Sequence, residues 1–143
     1  MTSSKDGTLN RAGSRIDHLN LAVPDLAAAV AFYEPVLASI GISKMLEIPP
    51  NATPNQPTAM TGFGLADVKP YFWLIDGGTV GTNMHVAFTV DSRADVTTFY
   101  EAALAAGASV LLPPAVHEEY HPDYFGAFVL DPHGINLEAV CHG

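Results

Sequence analysis

Apolar residues recur at every second position in two stretches of the chain, residues 16–23 and residues 84–90. A period of two residues is that of a β-strand with one apolar face and one polar face. The apolar positions are Leu19, Leu21 and Val23 in the first stretch, and Val86, Phe88 and Val90 in the second. Both stretches therefore predict strands, and His18 and His85 lie on the polar face of their strands.

The two stretches begin two copies of one unit. When His18 is aligned with His85, the Phe-Tyr-Glu triplet at 32–34 falls on the same triplet at 99–101 without a gap. Each copy continues with a helical pattern and three further predicted strands, at 44–48, 59–65 and 71–75 in the first copy and at 109–112, 124–130 and 135–140 in the second. We therefore predict an α+β domain over residues 16–143, built from βαβββ modules at 16–80 and 81–143.

The ends of the two helices carry recognisable signals. Asp25 and Ser92 stand where an N-cap side chain would accept a hydrogen bond from the first turn. Gly41 and Gly107 stand where a helix commonly ends in a left-handed residue. Residues 1–15 are polar and without periodicity, so they predict a disordered N-terminal arm.

Composition excludes several classes of protein. Apolar residues make up 48% of the chain and charged residues 15%, which is the composition of a globular protein and not of a disordered one. The formal net charge of -9 would repel a nucleic-acid backbone. No run of about 18 apolar residues predicts a membrane span. The single cysteine, Cys141, allows no internal disulfide, so we expect a cytoplasmic protein.

Glu138 is a carboxylate in the middle of an apolar strand, where an unpaired charge would be costly. If the modules join so that their first and last strands face one concavity, His18, His85 and Glu138 project into it together. Two imidazoles and a carboxylate suit a divalent transition metal and leave positions open for water or substrate. The alternative is that both histidines are hydrogen-bonded parts of the scaffold.

The repeat places Trp73 over Glu138. A tryptophan cannot coordinate a metal, so Trp73 either forms a wall on which a substrate stacks or packs in the core. We predict that the substrate pocket consists of Tyr71, Trp73, Asn20 and Asn136, because these residues lie on the same strand faces as the candidate ligands and Trp73.

A predicted loop over residues 113–123 precedes the seventh strand and would lie over the concavity. His121 in this loop and Tyr124 after it are candidates for catalysis, because an imidazole titrates near neutral pH and can act as an acid or a base. A solvated loop histidine is the alternative for His121.

The chain resembles the vicinal oxygen chelate superfamily, which includes glyoxalases, bleomycin-resistance proteins and extradiol dioxygenases. The resemblance rests on the two βαβββ units, on the histidine that opens each unit, and on the closing D-P-x-G-x-x-x-E pattern, formed by Asp131, Pro132, Gly134 and Glu138. It implies an eight-stranded, cup-shaped mixed sheet flanked by helices. It also implies that His18, His85 and Glu138 bind one divalent metal ion (Fe, Mn, Zn, Ni or Co) and that the protein is a homodimer.

Two functions follow as hypotheses. The first is a metal-dependent enzyme that acts on a small molecule with adjacent oxygens, as a glyoxalase-like lyase or isomerase or as an extradiol-type dioxygenase. The tryptophan at position 73 departs from the glyoxalase I pattern, which has a ligand there. The second is a metal-free protein of the bleomycin-resistance type, which sequesters a small molecule or drug. Neither needs a nucleic acid or a membrane as partner.

Overall fold

The computed structural model describes residues 14–143, and its elements follow the predicted order. The first half contains β1 (Leu19–Val23), α1 (Leu26–Ala38), β2 (Ser43–Ile48), β3 (Met60–Leu65) and β4 (Lys69–Asp76). The second contains β5 (His85–Thr89), α2 (Arg93–Ala105), β6 (Ser109–Val116), β7 (Phe125–Leu130) and β8 (Asn136–Cys141). Each half is a βαβββ module, which confirms the predicted α+β class. Apart from its last two residues, the predicted arm 1–15 lies outside the described residues.

The eight strands form two four-stranded mixed sheets, with the orders β1-β4-β3-β2 and β5-β8-β7-β6. In each sheet the first and last strands of the module pair in parallel, and the other neighbours are antiparallel. Within residues 14–143 no ladder of hydrogen bonds joins the two sheets, so the expected eight-stranded cup is divided between two open sheets.

Strand register confirms the alignment of the two copies. Asn20 lies opposite Trp73, and its repeat equivalent Ala87 lies opposite Glu138. Trp73 and Glu138 therefore occupy the same position in their respective modules.

Both helices begin at the predicted caps and are followed by the predicted glycines, although α1 ends at Ala38, three residues before Gly41. Asp25 Oδ1 accepts a hydrogen bond from the Ala28 amide, and Ser92 Oγ accepts one from the Asp95 amide, each at 3.1 Å. Gly41 and Gly107 follow the helices with φ of 84° and 108°, the left-handed region that favours glycine. In the part of the chain that the structure describes, neither helix is long and apolar enough to cross a membrane.

Two predicted boundaries were wrong. The sixth strand was predicted to end at residue 112, but β6 continues through Pro113 and Pro114 to Val116. Proline is tolerated here because β6 is an edge strand that pairs only with β7. The loop is correspondingly short, and we call residues 117–124 the β6–β7 loop. The first strand was predicted over residues 16–23 with His18 on it. In the structure β1 begins at Leu19, so His18 lies just before the strand.

Each helix covers one face of its own sheet, and the covered faces of both sheets contribute to one hydrophobic core. Phe72 on β4 and Phe88 on β5 meet edge to face with ring centroids 5.4 Å apart. The other face of each sheet, which no helix covers, is called here its open face. Trp73 lies on the first open face, and His85 and Glu138 lie on the second.

A buried hydrogen bond joins the two modules beside this core. The hydroxyl of Tyr33 on α1 donates to Asp131 Oδ2 at 2.5 Å, and Asp131 Oδ1 accepts from the amides of His133 and Ile135 at 2.8 and 2.9 Å. Asp131 is only 4% exposed. Its carboxylate therefore ties α1 of the first module to the β7–β8 turn of the second.

Tyr33→Phe should lower the free energy of unfolding by about 1–3 kcal/mol, because Asp131 Oδ2 loses its donor while remaining buried. Urea denaturation at neutral pH measures this. Tyr100→Phe is the matched control, since Tyr100 is the repeat equivalent of Tyr33 on α2 and is only partly buried. Equal losses in the two variants would contradict the role given to Asp131.

Candidate functional site

Glu138 is the centre of the candidate site. It lies in the middle of β8 and is 1% exposed. His85 Nε2 lies 3.0 Å from Glu138 Oε1, and the Tyr124 hydroxyl donates a hydrogen bond to Oε2. Each carboxylate oxygen thus has a partner, as burial of a charge requires.

Gly126 makes room for this carboxylate. A Cβ atom at this position would lie 3.0 Å from Glu138 Oε2 and 3.3 Å from Cε1 of Tyr124. Any larger residue would therefore press on both partners of the hydrogen bond. The sequence analysis did not single out Gly126, because the need for a small residue arises only where β7 passes Glu138.

His85 opens β5 and is oriented by its neighbours. Its ring stacks on Phe128, with centroids 5.9 Å apart and planes 20° from parallel. Asn136 lies directly opposite His85 in the β5–β8 ladder. The Oδ1 atom of Asn136 is buried and has no hydrogen-bond partner among residues 14–143.

Tyr124 is held as a hydrogen-bond donor. Burial, together with the Glu138 carboxylate beside it, raises the pKa of the Tyr124 hydroxyl above its usual value of 10.0. The hydroxyl therefore remains protonated at neutral pH. Its contact with Glu138 brings one of the two predicted catalytic residues to the site, although no observation tests its role in a reaction.

The other predicted catalytic residue, His121, is directed away from Glu138. His121 Nε2 lies 2.8 Å from Nδ1 of His142, and its ring meets Tyr124 edge to face at 5.4 Å. The structure thus gives His121 a partner that the sequence analysis had not considered. Nothing in the spacing of His121 and His142 signals this pairing, which depends on how the β6–β7 loop folds back towards the end of β8.

The structure does not bring His18 to the other two predicted metal ligands. His18 Nδ1 donates to Asp17 Oδ2 at 2.7 Å, and Lys69 Nζ lies 3.0 Å from the same oxygen. These contacts with His18 and Lys69 lower the pKa of Asp17. Among residues 14–143 no group of three or more His, Cys, Asp or Glu side chains could hold a metal ion.

The chain therefore brings together two of the three predicted metal ligands. His85 and Glu138 are an imidazole and a carboxylate within hydrogen-bond distance of each other, which is a donor set that suits a divalent transition metal. Because Asp17 occupies Nδ1 of His18, Nε2 is the nitrogen of that ring that could bind a metal. The assignment of the three ligands stays a prediction.

Two of the remaining predicted pocket residues, Trp73 and Asn20, lie on the open face of the first sheet. Trp73 is partly buried, and its indole ring lies directly over Gly62, where a Cβ atom would come within 2.7 Å of the ring. Asn20 is opposite Trp73 on β1. The predicted pocket position of Tyr71 is wrong, because the β3–β4 register shifts beside it and its side chain packs against the core, where burial raises the pKa of its hydroxyl. The open face of the first sheet thus carries the Trp73 indole, while that of the second carries the histidine and the carboxylate.

Comparison with known families identifies the fold group. The profile of the Glyoxalase/Bleomycin resistance protein/Dioxygenase superfamily matches residues 37–139. The chain belongs to this superfamily. The resemblance seen in the sequence is therefore confirmed. A comparison with curated protein sequences gives no match.

Solved structures with the same fold include proteins of several functions. A glyoxalase/bleomycin resistance protein from Albidiferax ferrireducens is 20% identical, with a TM-score of 0.67 over 90% of this chain and 99% of that one. The fosfomycin resistance protein FosX from Listeria monocytogenes, in a mutant form complexed with Mn(II) and 1S,2S-dihydroxypropylphosphonic acid, is 17% identical, with a TM-score of 0.62 over 88% of each chain. A glyoxalase I mutant from Zea mays is 21% identical, with a TM-score of 0.67 over 87% of this superfamily member and 46% of the maize chain. At these identities the likeness concerns the fold alone.

Tyr124→Phe should lower the free energy of unfolding by about 1–3 kcal/mol at neutral pH, because Glu138 Oε2 loses its donor in a buried position. Urea denaturation measures the loss. Tyr120→Phe, in the same loop but 61% exposed, is the control and should change stability by less than about 0.5 kcal/mol. A loss of the same size in both variants would contradict the prediction.

The stabilisation by Tyr124 should also depend on pH. Because the pKa of its hydroxyl is raised in the folded protein, the contribution is complete below the ordinary value of about 10 and falls above it by about 1.4 kcal/mol per pH unit, until the folded protein also loses the proton. The difference in unfolding free energy between wild type and Tyr124→Phe should therefore shrink between about pH 9 and about pH 11. A constant difference over this range would contradict the raised pKa.

Proposed function

We propose that this protein is a divalent-metal-dependent enzyme that acts on a small substrate with two adjacent oxygens. The observation that carries the proposal is the buried Glu138 carboxylate paired with His85 on the open face of the second sheet. A carboxylate that served only the scaffold would be replaceable by an apolar residue at little cost in stability, so its presence points to chemistry. A glyoxalase-like lyase or isomerase and an extradiol-type dioxygenase both fit.

A second copy of the chain would complete the site. His85 and Glu138 come from one module and His18 from the other, and the covered faces of the two modules meet in a common core. Several large apolar side chains are exposed, and a homodimer would bury a part of them; they include Leu19, Leu46, Leu65, Val110, Leu111, Leu112 and Val116. We therefore propose a homodimer in which His18 of a second copy approaches His85 and Glu138.

Each side chain has a task in this proposal. His85, Glu138 and His18 of the second copy would hold the metal ion, which when bound supplies a Lewis acid and a template for the two oxygens. Tyr124 holds a proton beside the carboxylate, and Asn136, opposite His85 on β8, would line the substrate pocket. Trp73, brought in on the first open face of the second copy, would form the opposite wall.

The relatives support this proposal without fixing the reaction. FosX was crystallised with Mn(II) and a phosphonic acid that carries neighbouring hydroxyl groups. That pairing of a divalent ion with adjacent oxygens is the chemistry proposed for the chain. A cytoplasmic location, expected from the single cysteine, is part of the proposal.

A second candidate function is a metal-free protein that sequesters a small aromatic molecule or drug. The observation in its favour is that Glu138 already has a protein partner on each oxygen, so that it needs no metal to compensate its charge. Trp73 would then provide the binding surface.

Mixed dimers test the metal site and its sharing between subunits. A dimer of one His18→Ala subunit and one Glu138→Gln subunit has one doubly damaged site and one intact site, because each closed dimer contains two equivalent sites. We expect the purified mixed dimer to bind about one Mn(II) or Ni(II) ion with wild-type affinity, against about two for the wild type. Titration calorimetry on differentially tagged subunits measures this.

The matched control is the mixed dimer of His85→Ala and Glu138→Gln. Both substitutions then lie on the same side of the shared site, so neither site is intact and no metal binding should return. Recovery in both mixtures, or in neither, would exclude the shared arrangement. A wild-type protein that binds none of the five candidate metals would exclude the metal-dependent function.

The single tryptophan allows the second function to be tested by fluorescence. A metal-free binder should show quenching of Trp73 by planar aromatic compounds in the presence of a chelator, and the quenching should survive His18→Ala and His85→Ala. The enzyme hypothesis predicts instead that binding requires the added metal ion. Loss of quenching in both histidine variants under metal-free conditions would count against the sequestering function.

A further inference from the structure

The β6–β7 loop carries Tyr124 to Glu138 and is held in place at both of its ends. The His117 amide donates to the Tyr124 carbonyl at 2.7 Å, and the Tyr124 amide donates to the His121 carbonyl at 3.1 Å. These hydrogen bonds lie within the loop. The pair formed by His121 and His142 connects the tip of the loop to the residue that follows β8.

The two imidazoles meet head to head. His121 Nε2 and His142 Nδ1 are 2.8 Å apart, the ring centroids are 5.1 Å apart and the ring planes differ by 26°. The short separation between nitrogens and the much longer one between centroids describe a hydrogen bond in the plane of the rings, in which one nitrogen donates and the other accepts.

The surrounding contacts determine which nitrogen carries each proton. The Asp123 amide donates to His121 Nδ1 at 3.1 Å, so Nδ1 is an acceptor and the proton of His121 lies on Nε2. That proton is donated to His142 Nδ1, so His142 carries its own proton on Nε2. Both rings are neutral in this arrangement, and both Nδ1 atoms already accept a hydrogen bond.

A further proton therefore cannot be added without breaking a contact. On His142 Nδ1 it would face the N–H of His121, and on His121 Nδ1 it would face the Asp123 amide. The same reasoning disfavours a metal ion at the pair, because coordination by His121 Nε2 would move the proton of that ring to Nδ1.

We propose that the His121–His142 pair is an acid-sensitive latch that positions Tyr124 on Glu138. The neutral pair holds the loop closed at and above neutral pH. In acid, an added proton on each ring makes both facing nitrogens donors, which breaks the pair and frees the loop. The two histidines are positioning residues, since they act on Glu138 only through Tyr124.

The ionisable groups around the pair include the carboxylate of Asp123, whose amide contacts His121 and whose Cβ atom lies beside Gly143. Tyr124 meets both rings edge to face at 5.4 and 5.3 Å, and its hydroxyl is bound to Glu138. Tyr120 and His117 pack on Tyr124 from within the loop, and Glu119 is directed to His117 at 3.4 Å. The carboxylates of Glu119 and Glu138 therefore have partners other than the two histidines.

Opening of the latch would remove the donor of Glu138 Oε2 and expose the carboxylate. Its consequence for catalysis rests on the proposed function, but the latch itself does not. It can be tested in metal-free protein, so a failure to bind metal and a failure of the latch are separate results.

Amide hydrogen exchange of Asp123 and Tyr124, followed by NMR at about pH 5 and about pH 8, tests the latch on both sides of the ordinary imidazole pKa. After correction for the intrinsic pH dependence of exchange, wild-type protection of both amides should fall about tenfold or more at the lower pH. His142→Asn keeps an acceptor oxygen at the position of Nδ1 but cannot be protonated there, so its Tyr124 amide should stay protected at both pH values, whereas the Asp123 amide still loses its acceptor when His121 Nδ1 is protonated. His142→Ala should have low protection at both.

His133→Gln is the matched control, because His133 lies in the β7–β8 turn and not in the pair; it should respond to pH as the wild type does. Equal wild-type protection at the two pH values would overturn the proposal. So would a His142→Asn variant whose Tyr124 amide loses protection in acid as the wild type does, since another group would then be responsible.

Discussion

A single buried carboxylate imposes most of the local structure in the second module. Glu138 lies in the central part of a sheet where water cannot solvate its charge, so each oxygen needs a donor from the protein. His85 supplies one and is oriented for it by stacking on Phe128. Tyr124 supplies the other, which requires the β6–β7 loop to fold over the sheet and position 126 to have no side chain. The position of the loop, the glycine at 126 and the orientation of His85 are therefore all related to this one carboxylate.

The first module shows what the same scaffold becomes without that charge. Trp73 occupies the position that Glu138 has in the second module. Gly62, on the neighbouring strand, leaves room for its indole ring. The modules also differ at the turn before the last strand. In the second module this turn contains Asp131, whose buried carboxylate receives the hydroxyl of Tyr33 from the first. The two modules thus share one backbone arrangement but differ in their side chains. The first carries the Trp73 indole on its open face. The second carries the polar site and the carboxylate that connects the modules.

Local signals in the sequence were sufficient to predict the modules. The period of two, the caps at Asp25 and Ser92 and the two closing glycines depend on interactions within a few residues of each other, and all are present in the structure. The extent of β6 was not predictable in this way, because proline is acceptable only on an edge strand and the strand order is a tertiary property.

The partnership of His85 with Glu138 follows from their places on adjacent strands. The separation of His18 from them depends on how the two sheets pack, and the pairing of His121 with His142 depends on the fold of a loop; neither leaves a periodic trace in the sequence.

The two prolines of β6 limit how copies of this chain can associate. Val110, Leu111 and Leu112 make this edge apolar, and an apolar edge strand ordinarily invites another strand to pair with it and extend the sheet. Pro113 and Pro114 lack the amide hydrogens that such pairing would use, and the register of β6 shifts twice along its length. Contact through this edge must therefore be made by side chains and not by continued backbone hydrogen bonding. An assembly built in this way stops when its apolar surface is covered, so the edge is protected from open-ended growth into fibres.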